Sequence, residues 1–106
     1  MMSILCAFTG TLTADPIKRT SAAGRDWTAL NVKVGDGKST QWCSIAVFGD
    51  NAASVDTLKA GAAIYVEGRL ELRRWENHAG YKMSGLNVTA TLCRPIELRA
   101  KTERGR

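Results

Sequence analysis

The sequence predicts an all-β fold arranged as one small barrel, and three observations carry that reading. Apolar and polar residues alternate at period two through most of the chain. Two tight-turn signals, Gly35-Asp36-Gly37 and Asn77-His78-Ala79-Gly80, punctuate the alternation. The length of 106 residues leaves room for one domain and little more.

The elements follow in order. Ile4 to Thr13 alternates loosely and is rich in β-branched and aromatic residues, so it reads as the first strand. Ala14 to Gly24 carries Pro16 and Gly24 and reads as a loop that exposes Lys18 and Arg19. The second strand covers Asp26 to Val34, and the third covers Ser39 to Phe48 and stops at Gly49. From Asp50 to Ala60 the period changes: Ala52, Val55 and Leu58 recur at helical spacing, Asp50 or Asn51 supplies a cap, and Gly61 ends the turn. A long fourth strand, Ala63 to Trp75, and a fifth, Tyr81 to Leu92, flank the Asn77–Gly80 turn, and Pro95 closes the ordered part. Three strands, one short helix and two strands fit a five-stranded Greek-key barrel of the OB type, with the helix between strands three and four plugging the barrel. An SH3-like barrel is the competing topology, but it has no use for a helix at that point. Residues 1–98 form the barrel domain, and 99–106 form a short basic tail.

Composition narrows the function. The chain is 44% hydrophobic and 24% charged, as in ordinary globular domains. No apolar run approaches the roughly 20 residues of a membrane helix, and no charged segment precedes an apolar stretch at the N-terminus. A soluble cytoplasmic protein with no membrane partner is expected. Fifteen Lys and Arg against ten Asp and Glu give +5, which favours a polyanion as partner. From Arg94 onward five basic residues face two acidic ones, so that stretch holds +3 of the total. Cys6, Cys43 and Cys93 each sit in an apolar stretch with no CxxC pair, which reads as buried free thiols. His78 is the only histidine and falls in a turn, so no metal, cofactor or catalytic site is expected.

Alternation sorts the strand residues into two faces. Cys43, Ile45 and Val47 form the core set of the third strand, with Leu30, Val32 and Val34 on the second and Ile64, Val66, Gly68, Leu70 and Leu72 on the fourth. The opposite set holds Trp42, Ser44, Ala46 and Phe48, then Trp27, Ala29, Asn31 and Lys33, then Tyr65, Glu67, Arg69, Glu71, Arg73 and Trp75. Aromatics among Lys and Arg suit a single-stranded nucleic acid, whose bases offer π-faces and whose phosphates need neutralising. The same pattern also suits a subunit interface, where Trp is enriched, and pattern alone leaves both open. Trp27, at a strand start beside a loop, and Tyr65 read as packing residues.

Five stretches in order resemble the DNA-binding domain of bacterial single-stranded DNA-binding proteins, from about Ile4 to Leu98. GTLTADPIKR (10–19) resembles the family's G-N-L-x-x-D-P-x-x-R, and Ala29 to Val32 corresponds to its second strand. TQWCSIAVFGD (40–50) resembles T-E-W-H-R-V-V-x-F-G-K, and LKAGAAIYVEGRLELRRW (58–75) resembles L-x-K-G-x-x-V-Y-V-E-G-x-L-x-x-R-x-W. YKMSGLNVTATLCRPIEL (81–98) matches the final strand loosely. The resemblance implies a non-enzymatic OB-fold that wraps single-stranded DNA without sequence preference in replication, recombination or repair, usually as a homotetramer built from dimers. It implies base stacking by Trp42, Phe48 and Trp75 and phosphate contacts by Arg19 and Arg74. The basic face adds Lys33, Arg69 and Arg73.

The departures are specific. Cys43 and Ser44 replace the His and Arg of W-H-R, Asp50 replaces the Lys after F-G, and Trp27 stands where the family has a small apolar residue. Gly35 to Lys38 is shorter than the family's basic loop there, and the family's acidic C-terminal tip, which recruits other enzymes, has no counterpart in this sequence. No recruitment of repair enzymes through such a tip is expected, and association with the nucleoid would follow from DNA binding. Two alternatives differ in class: a primosome-type accessory OB protein acting through protein partners, and an OB-fold RNA-binding factor.

Overall fold

The computed structural model describes residues 3–97. The expected basic tail, 99–106, lies outside the described residues. The elements are β1 (Ile4–Leu12), β2 (Ile17–Thr20), β3 (Asp26–Val34), β4 (Gln41–Phe48), α1 (Asp50–Val55), β5 (Ala63–Glu76) and β6 (Lys82–Pro95). They form one sheet in the order β1-β5-β6-β4-β3-β2, and β1 also pairs with β3 through Thr11↔Lys33 and Leu12↔Val32. That second pairing closes the barrel. The β4–β6 pairing is parallel, and the other pairings are antiparallel.

The core contains most of the predicted set, joined by Leu12, Val55, Val88 and Ala90, while Val34 and Leu70 are only partly buried. Leu12, Leu30, Val32, Ile45, Val47, Ile64, Val66 and Cys93 are buried together, and Val55 of α1 is fully enclosed with them. Closure brings backbones close enough to demand glycine at two points. A Cβ on Gly10 would lie 2.4 Å from a Val32 methyl, where β1 crosses β3. A Cβ on Gly68 would lie 2.3 Å from the Thr89 carbonyl oxygen. Gly68 sits at a β-bulge: Glu67 faces Leu92 while Gly68 faces Ala90, so Thr91 is the extra residue. Its hydroxyl donates to the Glu67 carbonyl at 3.2 Å, and its own carbonyl accepts from the Asn51 amide at 3.0 Å. Asn51 also accepts from the Cys93 N–H, so α1 is tied to the bulge from both sides.

Four readings need correction. The loop expected over Ala14–Gly24 contains β2, which pairs with β3 from Ile17↔Ala29 to Thr20↔Asp26. All four β2 residues are exposed, so no apolar alternation marked it, and pairing with β3 creates it. The helix stops at Val55, and its cap position is Gly49 at φ 67°, with no side-chain cap from Asp50 or Asn51. Gln41 begins β4, because Gly37–Ser39 make a 3-10 turn. Leu72, assigned to the core, is 49% exposed, because beyond Leu70 the β5–β6 hairpin extends past the barrel and loses its inner partner layer.

Candidate nucleic-acid interface

The outer face of the sheet can be read in rows from its register. Arg19 faces Trp27, which faces Phe48. Asn31 faces Ser44, Ser44 faces Asn87, and Asn87 faces Glu71. Lys33 faces Trp42, Arg73 faces Gly85, and Trp75 faces Met83. Because side chains alternate strictly along a strand, all of these project from the side opposite the core.

The middle of this face is a groove. One hollow of about 330 Å³ lies between Trp42 and Trp75, and a second of about 430 Å³ reaches Trp27 and Arg19. Asn31, Ser44, Arg73 and Asn87 border both, so the two are continuous. The floor is made of small and amide side chains. It leaves space between aromatic walls, and it supplies hydrogen-bonding groups without fixing one base identity.

The two ends differ. Trp42 is 63% exposed and Trp75 46%, which is costly for large apolar rings unless a partner covers them. Trp75 lies over Gly85, where an added Cβ would meet the ring edge at 3.4 Å, an ordinary van der Waals contact. The Arg73 guanidinium carbon is 5.7 Å from the Trp75 ring centre, within cation–π range. At the far end Phe48 and Trp27 are half-buried and stacked, with ring centres 5.8 Å apart and planes inclined by 25°. The Arg25 guanidinium lies over Phe48 at 4.9 Å.

The structure therefore brings together Trp42, Trp75, Arg73 and Arg19 around one groove and places Phe48 at its far end. Lys33 stands beside Trp42 on the neighbouring strand. Arg69 shares the outer face and lines a further hollow beside Ile4, which shares Glu71, Asn87 and Thr89 with the groove. Arg74 alternates to the other face of the hairpin, opposite Ser84, and does not join the groove wall. Arg25 and Gly85 were missed. Arg25, two residues before Trp27, reaches over the Phe48 ring, and Gly85 faces Arg73 beneath the Trp75 ring. Tyr65 is half-buried near the barrel's other side, and its hydroxyl donates to the Glu67 carboxylate, which raises the Tyr65 pKa. Cys43 and Cys93 are buried beneath the face, and burial pushes both thiols from 9.0 up to about 11. Among the described residues no helix is long and apolar enough to cross a membrane.

Comparison with known proteins agrees with this geometry. The solved small single-stranded DNA-binding protein from Streptomyces coelicolor superposes with a TM-score of 0.78 at 20% identity, covering 91% of this chain and 96% of that one. The mitochondrial single-stranded DNA-binding protein Rim1 of S. cerevisiae superposes with a TM-score of 0.70 at 19% identity, covering 93% of this chain and all of that one. Both share the OB fold. A single-stranded DNA-binding protein of Thermotoga maritima is 30% identical over 89% of this chain and 77% of its own length. One from Rhizobium meliloti is 26% identical over 78% of this chain, which spans 59% of that protein's length. Residues 5–96 match the sequence profile of the Single-strand binding protein family, and the chain belongs to that family.

Proposed function

We propose that the chain binds single-stranded DNA without sequence preference, holding bases on aromatic rings and phosphates on guanidinium and ammonium groups. The observation that carries this reading is the pair Trp42 and Trp75, both exposed and both lining one groove together with Arg73. Unstacked bases present π-faces that stack on such rings, and every base has one, so sequence matters little. Duplex DNA keeps its bases stacked and paired inside the helix and offers no such face. Protection of exposed strands during replication, recombination or repair is the role that fits, and it needs no catalytic group. Membership of the family supports the same reading.

The bound form is a homo-oligomer, most simply a tetramer built as a dimer of dimers. Strand β1 pairs with β3 only at its last residues, and Ile4 and Leu5 are 63% and 76% exposed beside an edge free of charge and proline. Symmetric pairing of such edges covers both the backbone groups and the apolar side chains. Light scattering at micromolar concentration reads this directly: a monomer mass of 11.5 kDa contradicts it.

Competition on a gel tests the ligand. Labelled oligo(dT) should be displaced by unlabelled mixed-sequence single strands and resist displacement by duplex DNA. Stronger displacement by oligo(U) of the same length would instead assign the groove to RNA.

A further inference from the structure

We infer that Trp27 is a base-stacking residue, so that the bound strand continues past Phe48 and leaves the groove over Trp27 between Arg19 and Arg25. The inference rests on the proposal that the groove binds single-stranded DNA.

Three observations lead there. The Phe48 ring is already engaged before any ligand arrives, by Trp27 stacked at 5.8 Å and by the Arg25 guanidinium at 4.9 Å. A base arriving at this end therefore meets a composite surface, of which Trp27 is the larger ring. Trp27 also stands as a ridge. It borders the 430 Å³ half of the groove on one side and a further hollow of about 510 Å³ between β2 and α1 on the other. A strand running down the groove must cross that ridge to go on. Finally, the ridge is flanked by unspent cations. Lys18 is paired with Asp56 at 3.4 Å, while neither Arg19 nor Arg25 makes an ion pair among the described residues.

The geometry makes the far end a second contact, separate from the first. Trp42 and Phe48 are six residues apart on β4, roughly 20 Å at about 3.3 Å per residue. A purely structural Trp27 would shield Phe48 and nothing else. The stacking role adds direct contact with a nucleobase, and that contact can be trapped.

The test is photocrosslinking of the full wild-type chain to oligo(dT) carrying 5-iodouracil, followed by trypsin. Cleavage separates the aromatics: Trp27 is the sole aromatic of Asp26–Lys33, Trp42 and Phe48 fall in Ser39–Lys59, and Trp75 falls in Trp75–Lys82. An adduct on Asp26–Lys33 is expected beside those on the other two peptides. Adducts confined to the other two overturn the role of Trp27 while leaving single-strand binding standing. No adduct on any peptide overturns both. Trp27→Ala, confirmed folded by circular dichroism, should bind oligo(dT) about 5- to 150-fold more weakly, the range for one base–aromatic stack. Unchanged affinity in that folded variant contradicts the inference. Trp27→Phe keeps a ring in place should the alanine variant fail to fold, and it should retain most of the affinity.

Discussion

Strand β4 carries two jobs on its two faces, and comparing them shows how a small domain keeps folding and binding apart. Cys43, Ile45 and Val47 point inward and are almost wholly buried. Trp42, Ser44, Ala46 and Phe48 point outward and line or border the groove. The inner residues are held by neighbours from β3, β6 and α1. The outer ones have no layer above them, and Trp42 is left 63% exposed. A period of two thus places the barrel's stability and its proposed ligand contacts one residue apart. The consequence is that substitutions on neighbouring residues should fail in different assays.

The largest expected effect tests the inner face. Ile45→Ala removes a buried side chain and leaves a cavity, so it should cost about 2–5 kcal/mol of stability in a denaturant titration. Whatever remains folded should bind oligo(dT) as the wild type does. Loss of affinity per folded molecule would break the separation of the faces. Trp42→Ala is the complement. It should cost about 1–3 kcal/mol of binding, roughly 5- to 150-fold, and shift stability by less than about 0.5 kcal/mol. A large drop in its unfolding midpoint would move Trp42 to the structural side.

A third effect belongs to the inner face alone. Burial raises the folded-state pKa of Cys43 and Cys93 from 9.0 to about 11, so the folded state keeps protons that the unfolded state releases. Stability should therefore be intact below pH 9 and fall as pH rises toward 11, by about 1 kcal/mol per thiol at pH 10. Replacing both cysteines by alanine should flatten that fall, and a fall of the same size in the double variant would contradict it. The smallest effect sharpens the outer face. Arg73→Ala should lower the slope of log K against log salt by about 0.7, the share of one phosphate on a single strand. An unchanged slope would mean that Arg73 serves Trp75 alone.

Much of this was legible in the sequence, for a physical reason that also explains the gaps. The second predicted strand, Asp26–Val34, is β3 to the residue, because one face is buried and alternation is then enforced. The start of β5 and the position of the helix were likewise readable, since Gly49 and Gly61 punctuate them. Strand β2 was not, because its four exposed residues owe their conformation to β3 rather than to any pattern of their own. Leu72 carries a core-type side chain at a core-type phase, yet the barrel ends before it does. The same division holds in the groove. Trp42 and Trp75 could be placed outward by phase, whereas the stack of Trp27 on Phe48 depends on the register between two strands, which phase alone does not give. Arg74 shows the converse: it sits among basic residues in sequence, and alternation carries it to the other face.

The central claim is that the outer groove takes unstacked bases on its exposed tryptophans. Titration of intrinsic tryptophan emission with oligo(dT), at several salt concentrations, reads that contact most directly. The account predicts saturable quenching, with affinity falling as salt rises by about 0.7 in log K per log unit for each phosphate neutralised. It also predicts that Trp42→Phe still quenches through Trp75, and that Trp42→Phe combined with Trp75→Phe keeps only the share of quenching that Trp27 supplies. Emission that stays constant while oligo(dT) binds would contradict the claim and place the tryptophans away from the DNA.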